Sequence, residues 1–131
     1  MLVRDAMSTA ILSIGPDHTL RDAARMMAAR RVGAAAVLDS DTSGIGILTE
    51  RDILNALGAG QDPDVERASA HLTSELVFAT PEWTLDEAAE AMNRGGFRHL
   101  IVLDESGDIV GVVSVRDIVR VWSRQASAAK A

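Results

Sequence analysis

Displaced by 65 residues along itself, the chain superimposes residues 7–57 on residues 72–122 without a gap. Thirteen of the 51 aligned positions are identical: Pro16/Pro81, Thr19/Thr84, Leu20/Leu85, Ala23/Ala88, Ala24/Ala89, Met27/Met92, Val37/Val102, Leu38/Leu103, Asp39/Asp104, Gly46/Gly111, Arg51/Arg116, Asp52/Asp117 and Ile53/Ile118. Conservative pairs such as Thr49/Ser114, Ile45/Val110, Ile47/Val112 and Leu48/Val113 fill much of the remainder. A tandem duplication restricts the fold severely, because both copies must adopt one local structure and each must find a surface on which to bury its apolar face. A single copy would bury too little to be secure alone, so the two are expected to pack face to face.

Within each copy the pattern reads strand, helix, strand, strand, helix. Ile11-Leu12-Ser13-Ile14 and Leu76-Val77-Phe78-Ala79 are short apolar stretches that stop at Pro16 and Pro81, as strands do at a turn. Thr19 with Asp22, and Thr84 with Glu87, have capping-box spacing, in which hydroxyl and carboxylate satisfy the first free amides of a helix. Leu20, Ala23, Ala24 and Met27, matched by Leu85, Ala88, Ala89 and Met92, follow at i, i+3, i+4, i+7, the period of a helix with one buried face. The apolar runs 34–38 and 44–48, like 99–103 and 109–113, are separated by Asp, Ser and Gly and predict a hairpin. Last helices are expected over 50–57 and 115–123. The fold class is therefore α/β (α+β), two tandem β-α-β-β-α repeats. The first repeat is assigned to 1–58, a Gly- and Pro-containing linker to 59–65, the second repeat to 66–125 and a disordered tail to 126–131.

Composition narrows the function. Thirteen basic residues against nineteen acidic ones give a net charge of −6, which disfavours a phosphate-backbone binder, so no nucleic-acid partner is expected. The absence of cysteine removes disulfides, thiolate nucleophiles and thiolate metal sites. His18, His71 and His99 are scattered, and no metal is expected. No eighteen apolar residues occur in a row and residues 1–15 lack a secretory pattern, so the expectation is a soluble cytoplasmic protein with no membrane partner. Neither G-x-x-x-x-G-K-[ST] nor G-x-S-x-G occurs, so no enzyme activity is expected.

The motif with most chemistry is Gly46-Ile47-Leu48-Thr49-Glu50-Arg51-Asp52, repeated as Gly111-Val112-Val113-Ser114-Val115-Arg116-Asp117. It falls where the third strand of each copy gives way to the last helix, and it fits two roles. One is a capping box and nothing more. The other uses the same geometry to hold an anionic or sugar-bearing ligand: helix amides and the positive dipole end attract phosphate, a hydroxyl donates to it, and Asp accepts from ribose hydroxyls. Gly46 and Gly111 would let such a ligand approach the backbone.

The repeated strand order, the Met7-Ser8 and Leu72-Thr73 lead-ins and the paired G-h-h-[ST]-x-x-D junctions together resemble a tandem pair of cystathionine-β-synthase (CBS) domains, a Bateman module, over nearly the whole chain. The resemblance implies pseudo-two-fold symmetry, two clefts between the repeats that take AMP, ADP, ATP or S-adenosylmethionine, and a homodimer. Carried onto this chain, it gives Asp52 and Asp117 the ribose hydroxyls, and Thr49 and Ser114 a ribose or phosphate contact. Adenine would lie near Thr9–Ile11 and Ser74–Leu76, at Thr9, Ile11, Ser74 and Leu76. Arg98 and His99 resemble the family's basic phosphate contacts, whereas the first copy has Gly33 and Ala34 there, which predicts one strong and one weak or empty site. Arg51 and Arg116 either reach phosphate or sit solvated. Trp122 fits intramolecular packing or an isologous dimer contact. The function so read is non-enzymatic sensing of an adenine nucleotide, passed to an unknown effector protein. The alternatives are an oligomerising module with vestigial clefts, S-adenosylmethionine as the ligand, and a small nucleotide hydrolase.

Overall fold

The structure, a computed structural model, describes residues 1–41 and 44–130. In chain order its elements are α1 (Val3–Ala6), β1 (Ser13–Ile14), α2 (Leu20–Arg30), β2 (Ala34–Asp39), β3 (Gly44–Thr49), α3 (Glu50–Gly58), a 3-10 turn (Ala68–Ala70), β4 (Phe78–Ala79), α4 (Leu85–Gly95), β5 (His99–Leu103), β6 (Ile109–Ser114) and α5 (Val115–Lys130). Each repeat thus forms the expected β-α-β-β-α series. One three-stranded sheet has the order β1-β2-β3 and the other β4-β5-β6. In both, the short first strand runs parallel to the second and the second antiparallel to the third.

The chain forms two compact units whose limits do not follow the repeat. One is Ile11–Leu76; the other joins Met1–Ala10 to Val77–Ala131. The core of the first unit gathers Leu12, Ile14, Leu20, Ala23, Met27, Val37, Leu48 and Ile53. That of the second gathers Leu85, Ala88, Met92, Leu100, Val102, Val113, Ile118 and Val121, together with Val3 and Ala6 from the N-terminus. Both cores are aliphatic, as the composition requires.

The lead-in of each repeat pairs with the third strand of the other. Ser8 and Val112 exchange backbone hydrogen bonds of 2.9 and 3.0 Å, and the aligned pair Thr73 and Ile47 exchanges two of 2.9 Å. This pairing decides the role of the glycines. A Cβ on Gly111 would lie 2.7 Å from Met7 Sδ and 3.0 Å from Ser8 O; one on Gly46 would lie 2.8 Å from Leu72 Cδ1 and 3.2 Å from Thr73 O. The expectation that these glycines open the backbone to a ligand is corrected: the space above each is filled by the chain's own lead-in.

Two further expectations change. In α2 and α4 only the hydroxyl half of the capping box forms, Thr19 Oγ1 accepting from Asp22 N and Thr84 Oγ1 from Glu87 N, both at 3.1 Å. Passing chain satisfies neighbouring amides: Leu20 N donates to Glu66 O at 2.9 Å and Leu85 N to Met1 O at 3.1 Å. The tail assigned as disordered is instead helical up to Lys130, α5 running Val115–Lys130; Ala126, Ala128 and Ala129 favour helix, and neither Gly nor Pro intervenes to stop it. The stretch assigned as a linker makes contacts of its own, since Arg21 N donates to Pro63 O at 3.0 Å and the Arg21 guanidinium pairs with Asp64. The first hairpin turn includes Thr42 and Ser43, which lie outside the described residues.

Candidate functional site

At the β3–α3 junction, Thr49 is the N-cap of α3 and both halves of the capping box form. Thr49 N and Thr49 Oγ1 donate to Asp52 Oδ2 at 2.8 and 3.0 Å, while Asp52 N donates back to Thr49 Oγ1 at 3.3 Å. The β6–α5 junction repeats this, with Ser114 N and Oγ donating to Asp117 Oδ2 at 2.8 and 3.0 Å and Asp117 N donating to Ser114 Oγ at 3.1 Å. The capping role is therefore real at both sites. It also limits what a ligand is offered. Each hydroxyl proton is committed to a carboxylate, and the first helix amides, Glu50 N and Val115 N, donate to Gly33 O and Arg98 O at 2.9 Å. The helix ends thus expose fewer donors to a phosphate than the spacing alone implies.

The outer carboxylate oxygens remain. Asp52 Oδ1 has no donor among the described residues, whereas Asp117 Oδ1 accepts from Arg120 Nη1 at 3.0 Å. A half-buried carboxylate oxygen whose twin is locked in a cap is a fixed acceptor, suited to a hydroxyl donor such as a sugar diol. Arg120 went unnoticed in the sequence; its signal is the i, i+3 spacing from Asp117, which the first copy lacks because Asn55 stands there.

The other predicted residues divide between the units. Thr9, Arg98, His99, Ser114, Arg116 and Asp117 fall in one; Ile11, Thr49, Arg51, Asp52, Ser74 and Leu76 fall in the other. Thr9 and Ile11, adjacent in expectation, are thus separated, and each junction neighbours the lead-in of the opposite repeat. His99 is the cross-strand partner of Ser114, and the Val115 N–Arg98 O bond fixes Arg98 against the first turn of α5. Arg51, Arg98 and Arg116 are exposed, with no ion pair among the described residues. Arg98 also lines a groove of about 460 Å3 between α4 and α5, with Met92, Phe97, Val119 and Trp122. His71 Nε2 lies 2.8 Å from Glu66 Oε1. No cluster of three or more metal-ligating side chains occurs among the described residues, nor any helix long and apolar enough to cross a membrane.

A CBS domain model matches the chain twice, over residues 3–59 and 68–124. The chain belongs to the CBS domain family. Its two domains in tandem make a Bateman module. This CBS pair is 32% identical over 117 residues to the CBS domain-containing protein YhcV of Bacillus subtilis, covering 88% of this chain and 81% of that one. Among solved structures it resembles the CBS domain protein PAE2072 of Pyrobaculum aerophilum complexed with AMP, at TM-score 0.80 and 29% identity, covering 89% of each chain. The CBS domain pair of MJ0100, in complex with 5'-methylthioadenosine and S-adenosyl-L-methionine, shares the fold at TM-score 0.85 and 21% identity, covering 95% of this chain and 98% of that one.

Proposed function

We propose that this CBS pair is a cytoplasmic, non-catalytic regulatory module that binds an adenine nucleotide at its Thr49–Asp52 and Ser114–Asp117 junctions and signals to a separate effector protein. The carrying observation is the geometry of the two aspartates: each has Oδ2 locked in a helix cap, which leaves Oδ1 to accept from a ribose hydroxyl, unengaged at Asp52 among the described residues and held at Asp117 by the partly exposed Arg120. The likeness to PAE2072, which holds AMP, supports the same ligand class. The exposed cations Arg98 and Arg116 near the second junction favour a phosphate-bearing ligand over the sulfonium of S-adenosylmethionine, because a guanidinium attracts phosphate and repels a second cation. Arg98 and His99 would meet the phosphates and Arg51 would serve the first junction, with Thr9, Ile11, Ser74 and Leu76 bordering the base. The lack of an Arg98 counterpart at Gly33 makes the two junctions unequal.

The test is calorimetry and thermal shift with AMP, ADP, ATP, adenosine and S-adenosylmethionine, since a ligand that prefers the native state raises its melting temperature. Asp117→Ala removes one or two hydrogen bonds to the ribose and weakens nucleotide binding by about 1–3 kcal/mol. Arg98→Ala weakens AMP more than adenosine. No shift with any of the five ligands leaves the module as an oligomerising unit.

The same reading includes a homodimer. Val115, Val119 and Trp122 recur on one face of α5 and are all exposed, and the aligned α3 positions Leu54 and Leu57 are exposed too. Two unsatisfied apolar helix faces of the same register fit a self-complementary, isologous contact. Trp122→Glu is expected to give monomers in light scattering; an unchanged mass would remove this face from the interface.

A further inference from the structure

The two junctions differ at the outer oxygen of the aspartate, and the difference reaches the N-terminus. Arg120 extends one guanidinium arm, Nη1, to Asp117 Oδ1 at 3.0 Å and the other, Nη2, to the carbonyl of Ala6 at 3.1 Å. Ala6 is the last residue of α1, a single turn whose final carbonyls have no following turn to bond them. At the first junction Asn55 replaces Arg120, and Asp52 Oδ1 is left open. The Arg120 side chain is 45% exposed and that of Asp117 only 13%, so the cation can swing into water at small cost while the capped carboxylate stays.

We propose that Arg120 couples the Asp117 junction to the N-terminal lead-in. The proposal rests on the nucleotide reading above: a ribose hydroxyl that donates to Asp117 Oδ1 replaces the guanidinium, and Ala6 O then loses its donor. Arg120 is in this sense a positioning residue and an internal competitor of the ligand, present at one junction only. By linkage the effect is reciprocal, so whatever loosens residues 3–8 strengthens binding at Asp117.

The experiment is amide hydrogen exchange of the full chain with adenosine, which carries the ribose diol but no phosphate for Arg120 to attract. Occupancy is expected to slow exchange at residues 114–118 and to speed it at residues 3–8. Arg120→Ala is expected to bind adenosine about two- to fivefold more tightly, the worth of a partly exposed ion pair, and to show fast exchange at residues 3–8 that no longer responds to ligand. Arg120→Lys keeps a charge for Asp117 but lacks the second arm, so its affinity stays near that of the unaltered protein while residues 3–8 are uncoupled. If Arg120→Ala loosens residues 3–8 without changing adenosine affinity, Arg120 is merely structural and the coupling is overturned. Slowed exchange at 114–118 with none altered at 3–8 overturns it equally. Absence of adenosine and AMP binding in every variant instead removes the nucleotide reading itself, and the coupling with it.

Discussion

Arg31 ends α2 with a left-handed backbone, φ 57, at the position where the second repeat places Gly96 with φ 72. A side chain with a Cβ is strained there and glycine is not. Arg31→Gly is therefore expected to stabilise the protein by roughly 0.5–1 kcal/mol in chemical denaturation, even though it deletes a side chain. A loss of stability would mean that Arg31 makes compensating interactions. Gly111 gives the opposite case: Gly111→Ala sets a methyl against Met7 Sδ and Ser8 O, and overpacking of this kind is expected to cost about 1–3 kcal/mol. Sequence spacing disclosed the Thr49–Asp52 and Ser114–Asp117 caps correctly, because a cap is a local bond across three residues. It misassigned Gly46 and Gly111, because spacing cannot tell whether the room above a glycine is kept for a ligand or for a distant segment of the same chain. The Arg120–Ala6 bond spans 114 positions and left no local trace.

Among the elements, the five-part order of each repeat was legible from periodicity: β2, β3, β5 and β6 begin at the expected residues, and the short β1 and β4 begin two residues late. The contacts of the linker between α3 and the 3-10 turn were not legible, since Gly and Pro mark where a helix stops but not what the chain beyond it touches. The linker is held by Arg21 of α2, whose Nη2 donates to Asp64 Oδ2 at 3.1 Å beside a second, shorter bond from Nε to Oδ1. The hydrogen bonds from Arg21 hold the Asp64 carboxyl below its ordinary value. A depressed carboxyl contributes stability that is fully present above its unfolded pKa, about 4, and is lost as pH falls through the lower folded value. The difference in melting temperature between the protein and its Arg21→Ala variant is thus expected to stay constant from about pH 7 down to about pH 5 and to shrink below about pH 4. Both groups are exposed, so the difference is small and diminishes with added salt. A difference that persists undiminished at low pH and high salt would assign Arg21 a packing role in place of the ion pair.

For the whole molecule the governing fact is that the sequence repeat and the spatial units are out of phase. Duplication is visible in a linear alignment; the exchange of lead-ins is not, because residues 7–11 and 72–76 align with each other equally well whichever third strand they pair with. The consequence is an asymmetry of connection. Ile11–Leu76 is one continuous segment, whereas the other unit draws on both ends of the chain. Val3 and Ala6 are 0% and 1% exposed within its core, and Met1 O, Ser8 N and Ser8 O bond to Leu85 and Val112. Deleting residues 1–8 removes this buried side-chain area, the Val3 side chain alone being worth roughly 1.5–3 kcal/mol, and leaves the edge of β6 away from β5 without its Ser8–Val112 bridge. Amides of β5 and β6 are expected to lose hydrogen-exchange protection in that deletion while those of β2 and β3 keep it, although the deleted residues are the first repeat's own. Protection lost equally in all four strands would show that the units unfold as one; protection lost only in β2 and β3 would return the lead-in to its own repeat and overturn the exchange.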